Sequence, residues 1–198
     1  MPRRTMETTG RRADKELSMR IVIAVLAVFL VAGCASPPVN RVSPAPLETV
    51  SGVDLDRYLG RWYEIARLEN AFEKNCEGVT ADYALRDDGL IEVLNTCRVG
   101  APDGRARAAR GRARIVDGSE GAKLEVSFFG PFWGDYWIID LTEDYTRSIV
   151  GEPSGRYLWI LSRTPTISDA SRADAIARLD VMGYDTSALY FTRQPPAE

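Results

Sequence analysis

From residue 60 onward, apolar and polar positions alternate along most of the chain, and turn residues interrupt the alternation at short intervals. Asp54 caps a short helical turn through Leu59. Gly60 to Arg67 then sets Trp62, Glu64 and Ala66 against Tyr63, Ile65 and Arg67, the period of two of a strand. Leu68 to Asn75 has little strand character and reads as a long loop. Val79 to Leu85 and Leu90 to Thr96 alternate again around Arg86-Asp87-Asp88-Gly89, a strong hairpin signal. Gly104 to Val116 is a further strand, in which Ala108-Ala109 predicts a phase shift of the kind a bulge makes. Leu124 to Phe128, Asp135 to Leu141, Thr146 to Val150 and Arg156 to Arg163 complete a set of eight. Ser168 caps a helix from Asp169 to about Met182, with Ala170, Ala173, Ile176, Ala177 and Leu179 as packing positions and Gly183 as its stop. Ala188 to Thr192 is a last short strand. The predicted class is all-β: an eight-stranded antiparallel up-and-down β-barrel with one C-terminal α-helix packed outside and a short ninth strand. Closing the barrel removes sheet edges, and eight strands leave room for one small ligand.

The beginning of the chain follows other rules. Arg11, Arg12, Lys15 and Arg20 precede an unbroken apolar run from Ile21 to Ala32, shorter than the ~20 residues of a membrane-spanning helix. Residues 1–33 read as a secretory signal, with Met6 and Met19 as alternative starts. Leu30-Val31-Ala32-Gly33-Cys34 resembles the lipobox of bacterial lipoproteins. That resemblance implies cleavage before Cys34 and acyl chains such as palmitate on its sulfur and nitrogen, a combination that anchors stably. Ala35, where an aspartate would favour the inner membrane, points to the outer membrane and a periplasm-facing domain. Residues 34–52 form a proline-rich tether expected to be extended and unpacked, 53–193 the folded domain, and 194–198 a loose tail.

Charge and composition narrow the chemistry. Without residues 1–33 the chain keeps 19 basic and 25 acidic residues, a net charge of −6, which argues against nucleic acid as a partner. It contains no histidine, so histidine-based triads, His-ligated zinc and proximal-His haem are excluded. Three cysteines cannot form a cysteine-only structural metal site, and no cofactor or metal is expected. Cys76 and Cys97 lie near the open end of one hairpin, and in an exported protein a disulfide between them is the expected state. Arg105, Arg107, Arg110, Arg112 and Arg114 suit a solvated outer barrel face, or a patch meeting anionic lipid. Phe129-Gly130-Pro131-Phe132-Trp133-Gly134 is an apolar loop, either a rim for an apolar ligand or a segment folded back on the core.

A Gly-x-Trp strand opening the domain, the Asp144-Tyr145 pair with its displaced threonine, and Arg163 in Ser162-Arg163-Thr164-Pro165 resemble, in that order, the three motifs of the lipocalins. The runs Phe72-Glu73-Lys74 and Val79-Thr80-Ala81-Asp82-Tyr83 are similar to the bacterial lipoprotein branch of that family. The resemblance covers about residues 53–193. It implies that Arg163 lies across the indole of Trp62 at the closed end, a cation–π contact of ~0.5–2 kcal/mol. Alternation then gives an interior containing Tyr83, Val93, Asn95, Val126, Phe128, Tyr136, Ile138, Tyr157 and Trp159, the expected ligand pocket. The function implied is non-catalytic carriage or storage of a fatty acid or lysophospholipid by a monomer or weak homodimer. A calyx enzyme using Cys76, Cys97 or Glu64, or an envelope adapter with a filled barrel, is the alternative. If Trp62 faces inward so does Glu64, and a buried carboxylate must be paired or protonated.

Overall fold

The structure, a computed structural model, describes residues 39–196; the expected signal segment and Cys34 lie outside the described residues. A helical turn α1 (Leu55–Tyr58) leads into β1 (Gly60–Leu68), β2 (Cys76–Leu85), β3 (Ile91–Val99), β4 (Ala106–Ile115), β5 (Lys123–Ser127), β6 (Gly134–Leu141), β7 (Arg147–Gly151) and β8 (Leu158–Ser162). Then come α2 (Asp169–Val181) and a short β9 (Leu189–Phe191). From β1 to β8 each strand pairs antiparallel with its sequence neighbour, β1 with β2 over Gly60–Tyr63, and β8 pairs with β1, so the sheet closes; β9 adds to β1 beyond the bulge. The predicted eight-stranded barrel with its outer helix is borne out.

The β1–β2, β3–β4, β5–β6 and β7–β8 connections lie at one end of this up-and-down barrel, and α1 closes the other. Two apolar layers follow from the pleat. Inside, Trp62, Ile91, Val93, Leu124, Ile138, Val150 and Leu161 form the floor with Tyr58 and Val53. Outside, Ile65, Ala66, Leu68, Ile149, Leu158 and Ile160 meet Ala175 and Leu179 of α2.

Strict alternation fails at β1. The register against β8 shifts between Glu64 and Ala66, so Glu64 pairs with Leu161 and Arg67 with Trp159. Arg67 therefore faces inward and Ala66 outward, the reverse of the alternating expectation. The bulge lets Ile65, Ala66 and Leu68 all enter the outer core, which a strict period of two cannot do. No bulge occurs at Ala108-Ala109: β4 runs in unbroken register with β3 from Ala106 to Ala113. Arg107 consequently shares the inner-facing parity of Gly111 and Ala113, while Arg110, Arg112 and Arg114 face out.

On α2 the buried residues are Ala175 and Leu179, whereas Ala170, Ala173 and Ala177 are exposed. The contact stripe is Ser171, Asp174, Ala175, Arg178 and Leu179, spaced as one helix face. Ion pairs decide it: buried Arg147 reaches Asp140 at 3.0 Å and Asp174 at 2.6 Å, and Arg178 reaches Asp140 at 2.9 Å. Ser168 caps the helix as predicted, its hydroxyl accepting from Ser171 N–H.

The tether is not unpacked. Arg41 bridges to Tyr184 and donates through Nε to Met182 O, Leu47 is buried in the outer core, and Val50 N–H donates to Ile138 O. Gln194 is likewise held, donating from Nε2 to Glu64 O and Val79 O across the seam where β1 and β2 part.

Candidate functional site

Three strata fill the barrel. At the closed end the Arg163 guanidinium lies 3.8 Å from the centroid of the fully buried Trp62 ring. It also donates to the carbonyls of Arg61, Arg57 and Tyr58. The Trp62 indole N–H donates to Tyr58 O at 2.8 Å. Tyr145 closes the outer side, its hydroxyl accepting from Asp54 N–H and its ring under Arg57.

Above the plug lies a layer of phenols. The Tyr58 hydroxyl is 3.0 Å from both Tyr136 and Ser148 hydroxyls, and Tyr83 is 3.1 Å from Tyr136. Burial pushes the Tyr58 phenol up to about 12 and raises Tyr83 and Tyr136 further, so all three stay protonated and serve as hydrogen-bonding groups.

The third stratum is a cavity of about 310 Å³ that opens between the mouth loops. Tyr83, Val93, Asn95, Val126, Phe128, Tyr136, Tyr157 and Trp159 line it. Ile138 does not; it is 1% exposed and packed into the floor beside Val150. The expectation that it lines the pocket is corrected, because alternation gives the face of a residue but not its height along the barrel. Gly111 makes room for Phe128: a Cβ there would meet that ring at 2.8 Å.

Sequence reasoning turned Glu64 inward but missed the rest of the polar side of the wall, Glu73 and Asp135, with Phe72 beside Glu73. Glu73 and Phe72 belong to the β1–β2 loop, for which no periodicity gives a direction. The Trp159 indole N–H donates to Glu73 Oε2 at 3.0 Å, and Asn70 Nδ2 donates to the same oxygen. Phe72, Tyr157 and Trp159 are mutual neighbours, with ring centroids 5.6 to 6.4 Å apart.

Glu64 is 2% exposed and accepts from Arg67 Nη1 at 2.6 Å and from the Thr192 hydroxyl, while its second oxygen finds no donor. Burial first, and the Glu73 carboxylate second, push Glu64 up to about 8, against the pull of Arg67 and Thr192. Burial disfavours the Arg67 charge too, yet Glu64 holds that guanidinium above its ordinary value. The two partners pull in opposite senses, and the unpartnered oxygen makes burial decisive for the acid. Asn95 Oδ1 is a second buried acceptor in the wall without a donor.

Cys76 and Cys97 are joined in a disulfide, Cα atoms 5.3 Å apart, on the inner side near the mouth. Arg107 covers it, donating to Phe72 O and Cys76 Sγ. Among the described residues no group of three or more Cys, Asp or Glu is arranged to hold a metal ion.

The family model described as lipocalin-like domain matches residues 53–194. The chain is a lipocalin. It is 43% identical over 176 residues to the outer membrane lipoprotein Blc of Escherichia coli K12, covering 88% of this chain and 96% of that relative. The Vibrio cholerae outer membrane lipoprotein Blc is 40% identical over 177 residues, covering 89% and 99%. Among solved structures, insecticyanin from the tobacco hornworm Manduca sexta superposes with a TM-score of 0.63 at 20% identity, over 79% of this chain and 88% of that one, a likeness of fold.

Proposed function

We propose that this lipocalin is a non-catalytic carrier, lipid-anchored at the outer membrane and facing the periplasm. It holds one amphiphile in the barrel, and that amphiphile is a lysophospholipid rather than a free fatty acid. The anchor rests on Cys34 in its lipobox-like setting and on relatives named outer membrane lipoproteins.

The ligand class rests on one observation: the cavity wall carries the carboxyl groups of Glu73 and Asp135 beside the protonated Glu64, and no lysine or arginine among the described residues lines it. A carboxylate head would meet like charge in a confined, poorly solvated space, where repulsion is strong. A zwitterionic lysophospholipid has no net charge: its ammonium meets Glu73 and the faces of Phe72, Tyr157 and Trp159, which attract cations, and its phosphate stays towards solvent at the mouth. A glycerol hydroxyl supplies the donor that Asn95 Oδ1 lacks, and the acyl chain covers Val93, Val126 and Phe128. An enzyme based on Cys76 or Cys97 finds no support, because the two thiols are spent on each other.

The test is mass spectrometry of lipid extracted from natively purified protein. One lysophospholipid per chain is expected; free fatty acid in its place, or an empty barrel, would refute the ligand class.

A further inference from the structure

The β5–β6 loop carries two of the most exposed large apolar side chains in the described structure, Phe129 (81%) and Phe132 (76%). The loop between them is fixed from below. The Trp133 ring lies under Arg114, 4.4 Å from centroid to guanidinium, and near Arg112 at 5.3 Å, on the outer face of β4. Arg114 is paired with Glu125, but Arg112 has no ion pair among the described residues and sits beside Gly130 at the loop tip. Two outward phenylalanines on a braced loop, with a cation next to them, make a pattern that costs solubility in water and suits an interface of headgroups over acyl chains.

The chain also says which end of the barrel that interface must meet. Asn40 N–H donates to Gly155 O in the β7–β8 turn at 3.0 Å, and Arg41 holds Met182 O, so residues 39–41 are fastened at the mouth end. From there residues 42–53 descend the barrel's outside to the β4–β5 turn, where Val53 N–H meets Glu120 O. Val39 is five steps along the chain from Cys34, and at ~3.6 Å per step the two lie at most ~18 Å apart. A ten-residue strand such as β4 covers about 25 Å along the axis once barrel tilt is allowed for. An anchor that short reaches lipid on the mouth side and falls short of the closed end.

We propose that the barrel sits mouth-down on the bilayer to which it is anchored, with Phe129 and Phe132 inserted among the acyl chains and Arg112 at the phosphates. The cavity then opens onto lipid, so an amphiphile can enter without crossing water. This inference rests on Cys34 being acylated and not on which lipid the cavity holds.

The test uses the mature acylated chain in phosphatidylethanolamine–phosphatidylglycerol vesicles, with an environment-sensitive label on F129C, F132C or E143C. Glu143 is exposed in the β6–β7 turn at the closed end. With Cys34 acylated and the other two cysteines in the disulfide, each variant has one free thiol. Flotation of the unlabelled chain with the vesicles reads the anchor separately; a chain that does not float removes the premise and the proposal with it. For a chain that floats, nitroxide-bearing lipids should quench the labels at 129 and 132 at least about fivefold more than the label at 143. Equal quenching at the three sites overturns the orientation. So does a label at 129 or 132 that is shielded from iodide yet untouched by nitroxide lipid, since a second copy of the chain would then cover the loop.

Discussion

Replacing Glu64 by glutamine should remove most of the pH dependence of stability between pH 5 and 8. The folded chain holds the Glu64 proton up to about 8, whereas an unfolded chain releases it near 4.5. Between those values the unfolded state binds fewer protons than the folded one, so stability is full below about 4.5 and falls as pH rises towards 8. At ~1.36 kcal/mol per unit the loss totals at most about 5 kcal/mol. The window is unusually clean, because the chain has no histidine to titrate within it. Glu77 and Asp174, held below the usual carboxylate range, act at lower pH, with stability lost as pH falls. In the glutamine variant the amide oxygen still accepts from Arg67 and nothing titrates. Urea unfolding at pH 5, 6, 7 and 8 should give a declining series for the parent chain and a nearly flat one for E64Q. Parallel series for the two chains would refute the assignment of a buried, protonated Glu64.

Three further outcomes follow from the same contacts. Arg163→Ala removes the cation–π contact and four carbonyl partners, and should cost about 2–3 kcal/mol in thermal or urea unfolding while red-shifting Trp62 emission; a loss under ~0.5 kcal/mol would contradict the plug. Reducing the Cys76–Cys97 disulfide, which spans 21 residues, should lower stability by about 3 kcal/mol on the chain-entropy model, checked by urea unfolding with and without reductant. Across lysophospholipids of rising chain length, calorimetric affinity should increase about fourfold per methylene. The rise should level off once the acyl chain fills the cavity of about 310 Å³. Affinity independent of length would count against burial in the cavity.

Much of the architecture was legible because alternation and turn chemistry agree, as in the Asp88-Gly89 hairpin, where β2 and β3 meet in the expected pairing. Where two cores compete for one strand, alternation fails. In β1 the outer core takes Ile65, Ala66 and Leu68 together, and the bulge that allows this turns Arg67 inward to Glu64. The apolar lining and Glu64 could be read from strands, but Glu73 and Phe72 could not, since they come from a loop placed by Asn70, Trp159 and Arg67. Helix α2 misled for a different reason: alanine spacing suggested one face, whereas the buried Arg147–Asp140 pair selects another. Prolines at 44 and 46 suggested a free tether, yet Arg41 and Leu47 fasten the segment through partners distant in sequence, which composition does not register.

The cavity's role is tested most directly by quenching of Trp159 with a lysophospholipid brominated mid-chain. Trp159 lines the cavity, whereas Trp62 lies beneath the phenol layer and Trp133 on the outer face. Saturable quenching at one lipid per chain is predicted, most of it lost in Trp159→Phe. Quenching that is unsaturable, or that survives undiminished in that variant, would place the lipid outside the barrel and contradict the account.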